Sequence, residues 1–96
     1  MAAPASAAEI HAKLGGAGTA RTWHAKTMVE VCDSDSDNHD VAAQYYRKAH
    51  PGTKLNQWVQ TGVYTCDSSK HHSHVLKLRV REQQIAGSDR YGSWAS

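Results

Sequence analysis

Residues 74–81 read HVLKLRVR, and this segment has the clearest pattern in the chain. Its apolar side chains alternate strictly with cations, which is typical of an antiparallel strand that has one buried face and one face in water. We therefore predict that Leu78 is buried and that Arg79 is exposed. The predicted inner face consists of Leu76, Leu78 and Val80, and the predicted outer face of Lys77, Arg79 and Arg81.

The segments before this strand also have a β pattern. Residues 23–32 end in TMVEVC, with β-branched residues at alternate positions, and residues 41–47 (VAAQYYR) place apolar side chains on one face. Residues 33–40 lie between them and are rich in Asp, Ser and Asn, which favour turns. The pattern predicts a β-hairpin. The alternative for residues 40–49 is a helix, because Ala, Gln and Arg are compatible with one.

The remaining turn signals divide the rest of the chain into short strands. Pro and Gly in residues 50–53 (HPGT) predict a turn. The other predicted elements are a strand over 54–60, a bulge or turn at Gly62, an extended segment over 63–66, a loop over 67–70, a turn over 87–89 and an edge strand over 90–95. Five or six short strands predict a mainly β fold, a small antiparallel β-sandwich or barrel.

The N-terminal region has a different composition. Residues 1–20 are rich in Ala and Gly, so we predict a leader that is flexible or a short helix over 7–14, followed by one β-domain over 21–96. Residues 2–8 (AAPASAA) resemble the small-residue end of a signal peptide and predict a secreted protein, with Met1 as an added start. An ordinary Ala-rich tail is the alternative. No apolar run approaches the roughly 18 residues of a membrane span.

The two cysteines are expected to stabilise a thin core. The chain has 96 residues, of which only 13 are Val, Leu or Ile and none is Phe, and its net charge of +2 does not force it open. A small domain with so few core formers usually needs a covalent link. Without a C-x-x-C motif or a third Cys, we predict a Cys32–Cys66 disulfide, with two buried thiols as the alternative.

Two clusters could bind metal ions. Asp33, Asp35 and Asp37 resemble the start of a calcium loop, although position 38 is Asn where an EF-hand has Gly and position 44 is Gln where it has Glu. On an extended chain His72 and His74 would point to one side and could bind zinc or copper, with a further ligand such as His39, His50 or Asp67. The alternative interpretation is a solvated turn in the first case and an exposed polar loop in the second.

The stripe Lys77, Arg79 and Arg81 is a candidate binding face. It could pair with the acidic residues of 30–40 across the fold, or it could meet an acidic partner. A nucleic acid is not favoured, since the chain has no recognised nucleic-acid motif. The three Trp and four Tyr could include a platform for sugars or proteins, although the lack of Phe requires some of them in the core.

The chain has no recognisable catalytic motif. The patterns G-x-S-x-G and H-E-x-x-H are not in the sequence, and abundant Ser, His and Asp are no evidence for a triad. We therefore predict a secreted binding or interaction module without catalytic activity or a required cofactor. Its expected partner is an extracellular macromolecule, with a protein favoured. The alternative is a metal-binding protein that uses residues 71–74 or 33–37.

Several short motifs form a pattern along the chain: Val31-Cys32-Asp33, Asp37-Asn38-His39, Val41-x-Ala43-x-Tyr45 and Ser93-Trp94. The first three are similar to the VCD…DGH-x-V-x-A-x-Y pattern of a group of small secreted actinobacterial proteins of unknown function, and the last resembles the terminal element of that group. The resemblance implies an exported β-rich protein and implies no activity. Asn38 replaces the Gly of the pattern, and the second Cys pair of many relatives is missing near Arg81 and Gly92, so the C-terminal strand is expected to be held less tightly.

Overall fold

A computed structural model describes residues 8–35, 39–59 and 64–96, which form two four-stranded antiparallel sheets. The described residues contain no helix. The first sheet has the order β1-β2-β3-β6, with β1 His11–Leu14, β2 Gly18–Trp23, β3 Met28–Asp33 and β6 Cys66–Ser68. The second sheet has the order β5-β4-β7-β8, with β4 Val41–Arg47, β5 His50–Trp58, β7 Val75–Glu82 and β8 Arg90–Tyr91.

The sheets pack face to face around one hydrophobic core. Alternate residues of β3, β4 and β7 point inward, and the largest fully buried apolar side chains among them are Val29, Val31, Val41, Leu78 and Val80. The predicted disulfide is confirmed: Cys32 and Cys66 are cross-strand neighbours on β3 and β6. The predicted small antiparallel β-sandwich with one disulfide is therefore the observed fold, with eight strands in the described residues instead of the predicted five or six.

The predicted hairpin between residues 23–32 and 41–47 is wrong. β3 pairs with β2 and β6, whereas β4 pairs with β5 and β7. Each of the two strands turns one apolar face toward the core, and in a sandwich two such strands can face each other across the core instead of pairing edge to edge. The strand over 41–47 is confirmed, and the helical alternative is not observed.

Residues 8–20 do not form the predicted leader or short helix. They contain β1 and the start of β2, and the turn between these strands is closed by a hydrogen bond from Ala17 N to Leu14 O at 2.9 Å. Ala12 and Leu14 alternate with exposed residues and pack against the core, which favours a strand over a helix. The sheet therefore begins before residue 21, and the Ala-x-Ala segment lies outside the described residues.

A turn that the sequence did not predict separates β2 from β3. His24, Ala25 and Lys26 all have positive φ, of 53°, 56° and 66°. The carboxylate of Glu9 accepts hydrogen bonds from the amides of Ala25 and Lys26, both at 3.0 Å. Because this carboxylate satisfies the turn amides, the left-handed conformation is held by a residue 16 positions earlier in the chain.

The turn between β4 and β5 also differs from the prediction. It consists of Lys48 and Ala49, while Pro51 and Gly52 lie inside β5. β5 is at the end of its sheet, and an edge strand tolerates Pro because one side of its backbone needs no ladder partner. The predicted loop over 67–70 begins later, since β6 includes Asp67 and Ser68. Gly62 and Val63 lie outside the described residues.

The alternation of β7 is interrupted near its start. The register between β4 and β7 shifts between Tyr46 and Arg47, so that Val75 is buried and Leu76 is 44% exposed. The prediction for Leu78 is confirmed, but that for Leu76 is wrong, because a bulge reverses the face of the strand that a side chain occupies. Arg79 points outward as predicted, although neighbouring side chains leave it half-buried instead of exposed.

Candidate functional site: a basic and aromatic sheet face

The outer face of the second sheet brings the predicted basic stripe of Lys77, Arg79 and Arg81 to the centre of a surface. The register of β4 and β7 pairs Tyr46 with Lys77, Gln44 with Arg79 and Ala42 with Arg81. Since the inward residues of both strands fill the core, these six side chains share the outer face. We call the surface formed by the basic stripe and its aromatic neighbours the basic–aromatic face.

Aromatic rings flank the cations of this face. The guanidinium carbon of Arg79 lies 4.0 Å from the centre of the Tyr91 ring and 4.3 Å from that of Trp94. The ammonium of Lys77 lies 4.5 Å from the Trp94 ring centre, and Trp94 itself lies 5.6 Å from Tyr46. Cations within about 6 Å of a ring face are attracted by its quadrupole. The C-terminal segment, which carries Tyr91 and Trp94, thus holds the cations of the stripe in place.

The side-chain amides of Gln44 and Asn56 form a hydrogen-bonded network that orients the arginines of the stripe. Arg79 Nε donates to Gln44 Oε1 at 2.7 Å, and Gln44 Nε2 donates to Asn56 Oδ1 at 3.2 Å. Asn56 Oδ1 also accepts a 3.1 Å hydrogen bond from Arg81 Nη1. Gln44 is buried and bonded at both ends of its amide, so it fixes the direction of the Arg79 side chain.

Arg79 and Arg81 differ in whether a carboxylate pairs with the guanidinium. Arg81 Nε forms a 2.7 Å ion pair with Asp89, and the hydrogen bonds from Arg81 and from the Gln84 amide lower the pKa of that carboxyl against the opposing effect of desolvation. Within residues 8–35, 39–59 and 64–96, Arg79 has no carboxylate partner and its two η nitrogens have no hydrogen-bond acceptor. They are therefore available to an external anion.

The predicted pairing of the stripe with the acidic residues of 30–40 is not observed in the described part of the chain. Glu30 and Asp33 lie on β3, in the opposite sheet, and the partners of the stripe are Asp89, Gln44 and Asn56. Of the three cations of the stripe, Arg81 is paired with Asp89, whereas Lys77 and Arg79 have no carboxylate partner among the described residues.

Only some of the aromatic residues reach this face. Tyr46, Tyr91 and Trp94 flank the stripe, and Trp58 lies 5.1 Å from the Arg81 guanidinium. Tyr45 is buried in the core, as the lack of Phe required of some aromatic side chains. Trp23 stacks on Arg21, at 3.4 Å, on the first sheet. The sequence did not identify Gln44 and Asn56, because nothing local marks an amide as the neighbour of a distant cation.

The two predicted metal clusters are not assembled into metal sites by the described residues, among which no group of three or more His, Cys, Asp or Glu could hold an ion. His72 and His74 are exposed. Asp33 is buried, and its Oδ1 accepts a 3.1 Å hydrogen bond from the Asp35 amide. Asp37 lies outside the described residues, so the calcium loop stays a prediction.

A cleft of about 880 Å³ lies beside the C-terminal segment. Its lining includes His11 and Lys13 of β1, Arg21 of β2 and Glu30 of β3, together with Tyr91 and Trp94, which also belong to the basic–aromatic face. A displacement of the C-terminal segment would therefore change both surfaces.

Comparisons with protein-family models, with curated proteins and with solved structures find no match to this chain. The resemblance to secreted actinobacterial proteins therefore rests on the motif residues alone. No helix among the described residues is long and apolar enough to cross a bilayer.

Proposed function

We propose that this protein is an exported binding module whose basic–aromatic face binds an acidic segment of an extracellular protein. The observation that carries the proposal is Arg79, which is fixed by Gln44, Tyr91 and Trp94 and keeps both η nitrogens free of partners among the described residues. A guanidinium held in this way loses little conformational entropy when it binds a carboxylate, and it can bind one through two parallel hydrogen bonds.

The arrangement of the rings favours carboxylates over nucleic-acid bases and sugars. Bases and sugars bind by stacking on ring faces, and cations of the stripe already lie over the rings of Tyr91 and Trp94. A carboxylate needs only N–H donors, and the η nitrogens of Arg79 have no hydrogen-bond acceptor among the described residues. An acidic polypeptide therefore fits this surface better than a nucleic acid or a carbohydrate.

The disulfide supports the exported location. Disulfides persist in oxidising compartments and are rare in the cytosol of most organisms. The Cys32–Cys66 link and the resemblance to secreted proteins point to the same compartment. We propose no catalytic activity and no required cofactor for this module.

The test is a fluorescence titration with poly-L-glutamate at low salt, because Trp58 and Trp94 lie on the proposed surface. Arg79→Ala should weaken binding about tenfold or more, since a hydrogen-bonded charge pair contributes about 1.5–3 kcal/mol. Lys13→Ala removes the same charge from an exposed position on β1 and serves as the matched control. Binding should also weaken as salt is added.

Two results would count against the proposal. One is equal binding of poly-L-glutamate by the Arg79 and Lys13 variants, which would show that only net charge matters. The other is tighter binding of single-stranded oligothymidylate or of a neutral oligosaccharide than of poly-L-glutamate, which would show that the rings stack on their ligand.

A further inference from the structure

The cleft beside the C-terminal segment contains two opposite charges that do not pair with each other. Arg21 of β2 and Glu30 of β3 both line it, and the register places them directly opposite each other on neighbouring strands. The Cβ atoms of such neighbours lie about 4.5–5.5 Å apart, so opposite charges in these positions can stabilise a sheet by pairing. No ion pair joins Arg21 to Glu30 in the described part of the chain.

The position of the Arg21 side chain explains why this pair does not form. Its guanidinium carbon lies 3.4 Å from the centre of the Trp23 ring, two positions along the same face of β2. The quadrupole of the ring attracts the cation and holds it beside Trp23 instead of Glu30. Arg21 Nε donates a long hydrogen bond of 3.5 Å to Thr22 O, and its η nitrogens have no acceptor among the described residues.

The Glu30 carboxylate likewise has no donor among the described side chains and amides. Glu30 and Arg21 are both half-buried. Partial burial removes some of the water that would otherwise hydrate a charge, so each of these groups gains from a partner of opposite charge. A ligand in the cleft could supply both partners.

The other charged groups near the cleft need no such partner. Glu9, the carboxylate whose charge interacts with that of Arg21, already accepts hydrogen bonds from the Thr22 hydroxyl and from two turn amides. His11 and Lys13 line the cleft on β1, but both are exposed and remain hydrated. The guanidinium and the carboxylate on β2 and β3 are therefore the charges that a ligand would satisfy.

The size and the remaining lining of the cleft suit a small organic molecule. Sites for small molecules typically measure about 300–1,000 Å³ and combine an apolar lining with a few polar groups that orient the ligand. The volume of about 880 Å³ lies in this range, and the apolar side chains of the lining include Leu14, Tyr91 and Trp94. A ligand that fits would carry apolar groups as well as both charges.

The separation of the two charges favours a short peptide. A free amino acid carries its ammonium and carboxylate on one carbon atom, whereas in an extended dipeptide they lie roughly 5–7 Å apart, since each residue spans about 3.3–3.6 Å. Two groups on neighbouring strands that do not touch each other can each bind one end of such a molecule. A simple anion would be repelled by Glu30, and a simple cation by Arg21.

We propose that this cleft binds short zwitterionic peptides, of about dipeptide size, that have apolar side chains. The η N–H groups of Arg21 bind the terminal carboxylate, and the Glu30 carboxylate binds the terminal ammonium. The apolar lining contacts the side chains of the peptide. This site uses neither Arg79 nor its free N–H groups and does not depend on the function proposed for the basic–aromatic face.

The test is an NMR titration of the isotope-labelled full chain with leucyl-leucine at about pH 6.5, where the amine is protonated and the carboxyl is ionised. The titration is repeated with the N-acetylated peptide, with the peptide amide and with the peptide blocked at both ends, all of which have the same side chains. Leucyl-leucine should bind about tenfold more tightly than either singly blocked peptide, since a hydrogen bond to a charged group contributes about that factor. The doubly blocked peptide should bind most weakly.

Two variants assign the charges. Glu30→Gln keeps the shape of the side chain and should lose the preference for a free ammonium while it keeps the preference for a free carboxylate. Arg21→Gln should do the reverse, and if it does not fold without the contact with Trp23, Glu30→Gln with the four peptides is sufficient. Asp40→Asn and Lys48→Ala each remove an exposed charge outside the lining and should leave the four affinities unchanged.

Any of three results would overturn the proposal. One is that the signals of the cleft residues do not shift at about 10 mM leucyl-leucine. Another is a singly blocked peptide that binds as tightly as leucyl-leucine, which would identify a site for one charge only. The third is a Glu30→Gln variant that still prefers a free ammonium.

Discussion

Arg47 Nη1 donates a 2.7 Å hydrogen bond to the carbonyl oxygen of Ser73, which ties the histidine-bearing loop to the end of β4. The same nitrogen donates to Thr27 O at 2.8 Å, and Nη2 donates to Ser69 Oγ at 3.1 Å. One buried guanidinium therefore joins the turn over 24–27 to the loop over 69–74. Arg is suited to this position because its donors form a rigid planar fork.

Arg47→Met should destabilise the protein by about 2–4 kcal/mol, because it removes the hydrogen bonds that the guanidinium donates to Thr27 O, Ser73 O and Ser69 Oγ, of which Thr27 O keeps only its bond from the His72 amide. Lys48→Ala removes the neighbouring exposed cation and should change stability by less than about 0.5 kcal/mol. Urea midpoints measure both effects. Similar midpoints for the two variants would show that Arg47 does not hold the loops.

Leu76 and Leu78 form a matched pair on one strand, since the first is 44% exposed and the second is fully buried. Leu78→Ala should cost about 2–4 kcal/mol through lost burial and a residual cavity. Leu76→Ala should cost less than about 1 kcal/mol. Urea unfolding distinguishes the two, and equal costs would contradict the bulge that exposes Leu76.

Arg79→Ala should cost about 0.5–1 kcal/mol in the same experiment, because its contacts with Tyr91 and Trp94 are lost. This loss of stability is larger than the loss expected when a fully exposed cation is replaced by Ala. A stability equal to that of the parent protein would show that the rings do not hold this side chain.

The Glu9 carboxylate should make the protein less stable in acid. Desolvation raises its pKa, but the hydrogen bonds from Thr22, Lys26 and Ala25 and the charge of Arg21 outweigh it and lower the pKa from the ordinary value of 4.5. Because the pKa is lower in the folded state, the stabilisation is present above the unfolded-state pKa and is lost as the pH falls.

Glu9→Gln should therefore be less stable than the parent protein near neutral pH, and the difference should shrink as the pH falls below about 4. Thermal melts across this range provide the measurement. A stability difference that stays constant with pH would show that the Glu9 charge does not contribute.

Gly92 lies so close to β1 that an added side chain would clash with the Lys13 carbonyl oxygen. Gly92→Ala should therefore displace the C-terminal segment and weaken the contact of Trp94 with the stripe, visible as a changed Trp fluorescence spectrum. Gly52→Ala is the matched control, because a Cβ there would meet nothing within 4 Å. Identical spectra for both variants would contradict the close contact with β1.

The Cys32–Cys66 disulfide spans 34 positions and should contribute about 3–4 kcal/mol by restricting the unfolded chain. Thiol titration of denatured, unreduced protein should find no free thiol. Reduction should lower the free energy of unfolding by about the same 3–4 kcal/mol, and this appears as a lower urea midpoint. An unchanged midpoint after reduction would show that the sandwich does not need the link.

The local pattern of the sequence was sufficient to predict the fold class and several of its strands. Alternation in residues 41–47 and 74–81 identified β4 and β7 and most of their inward faces, because a strand repeats every two residues whatever its partners are. The isolated Cys pair predicted the disulfide. The cations of the stripe were also placed on one outer face from the sequence alone.

Contacts between distant residues settled the features that local pattern could not predict. β3 and β4 pack across the core instead of pairing, the bulge opposite Tyr46 and Arg47 exposes Leu76, and Glu9 holds the left-handed turn before β3. Each of these three features depends on which distant segments of the chain come into contact. A segment rich in turn-forming residues does not specify whether the strands on its two sides pair with each other or with other strands. The same reason explains why Gln44 and Trp94 became part of the basic–aromatic face only when β4 and the C-terminal segment packed beside β7.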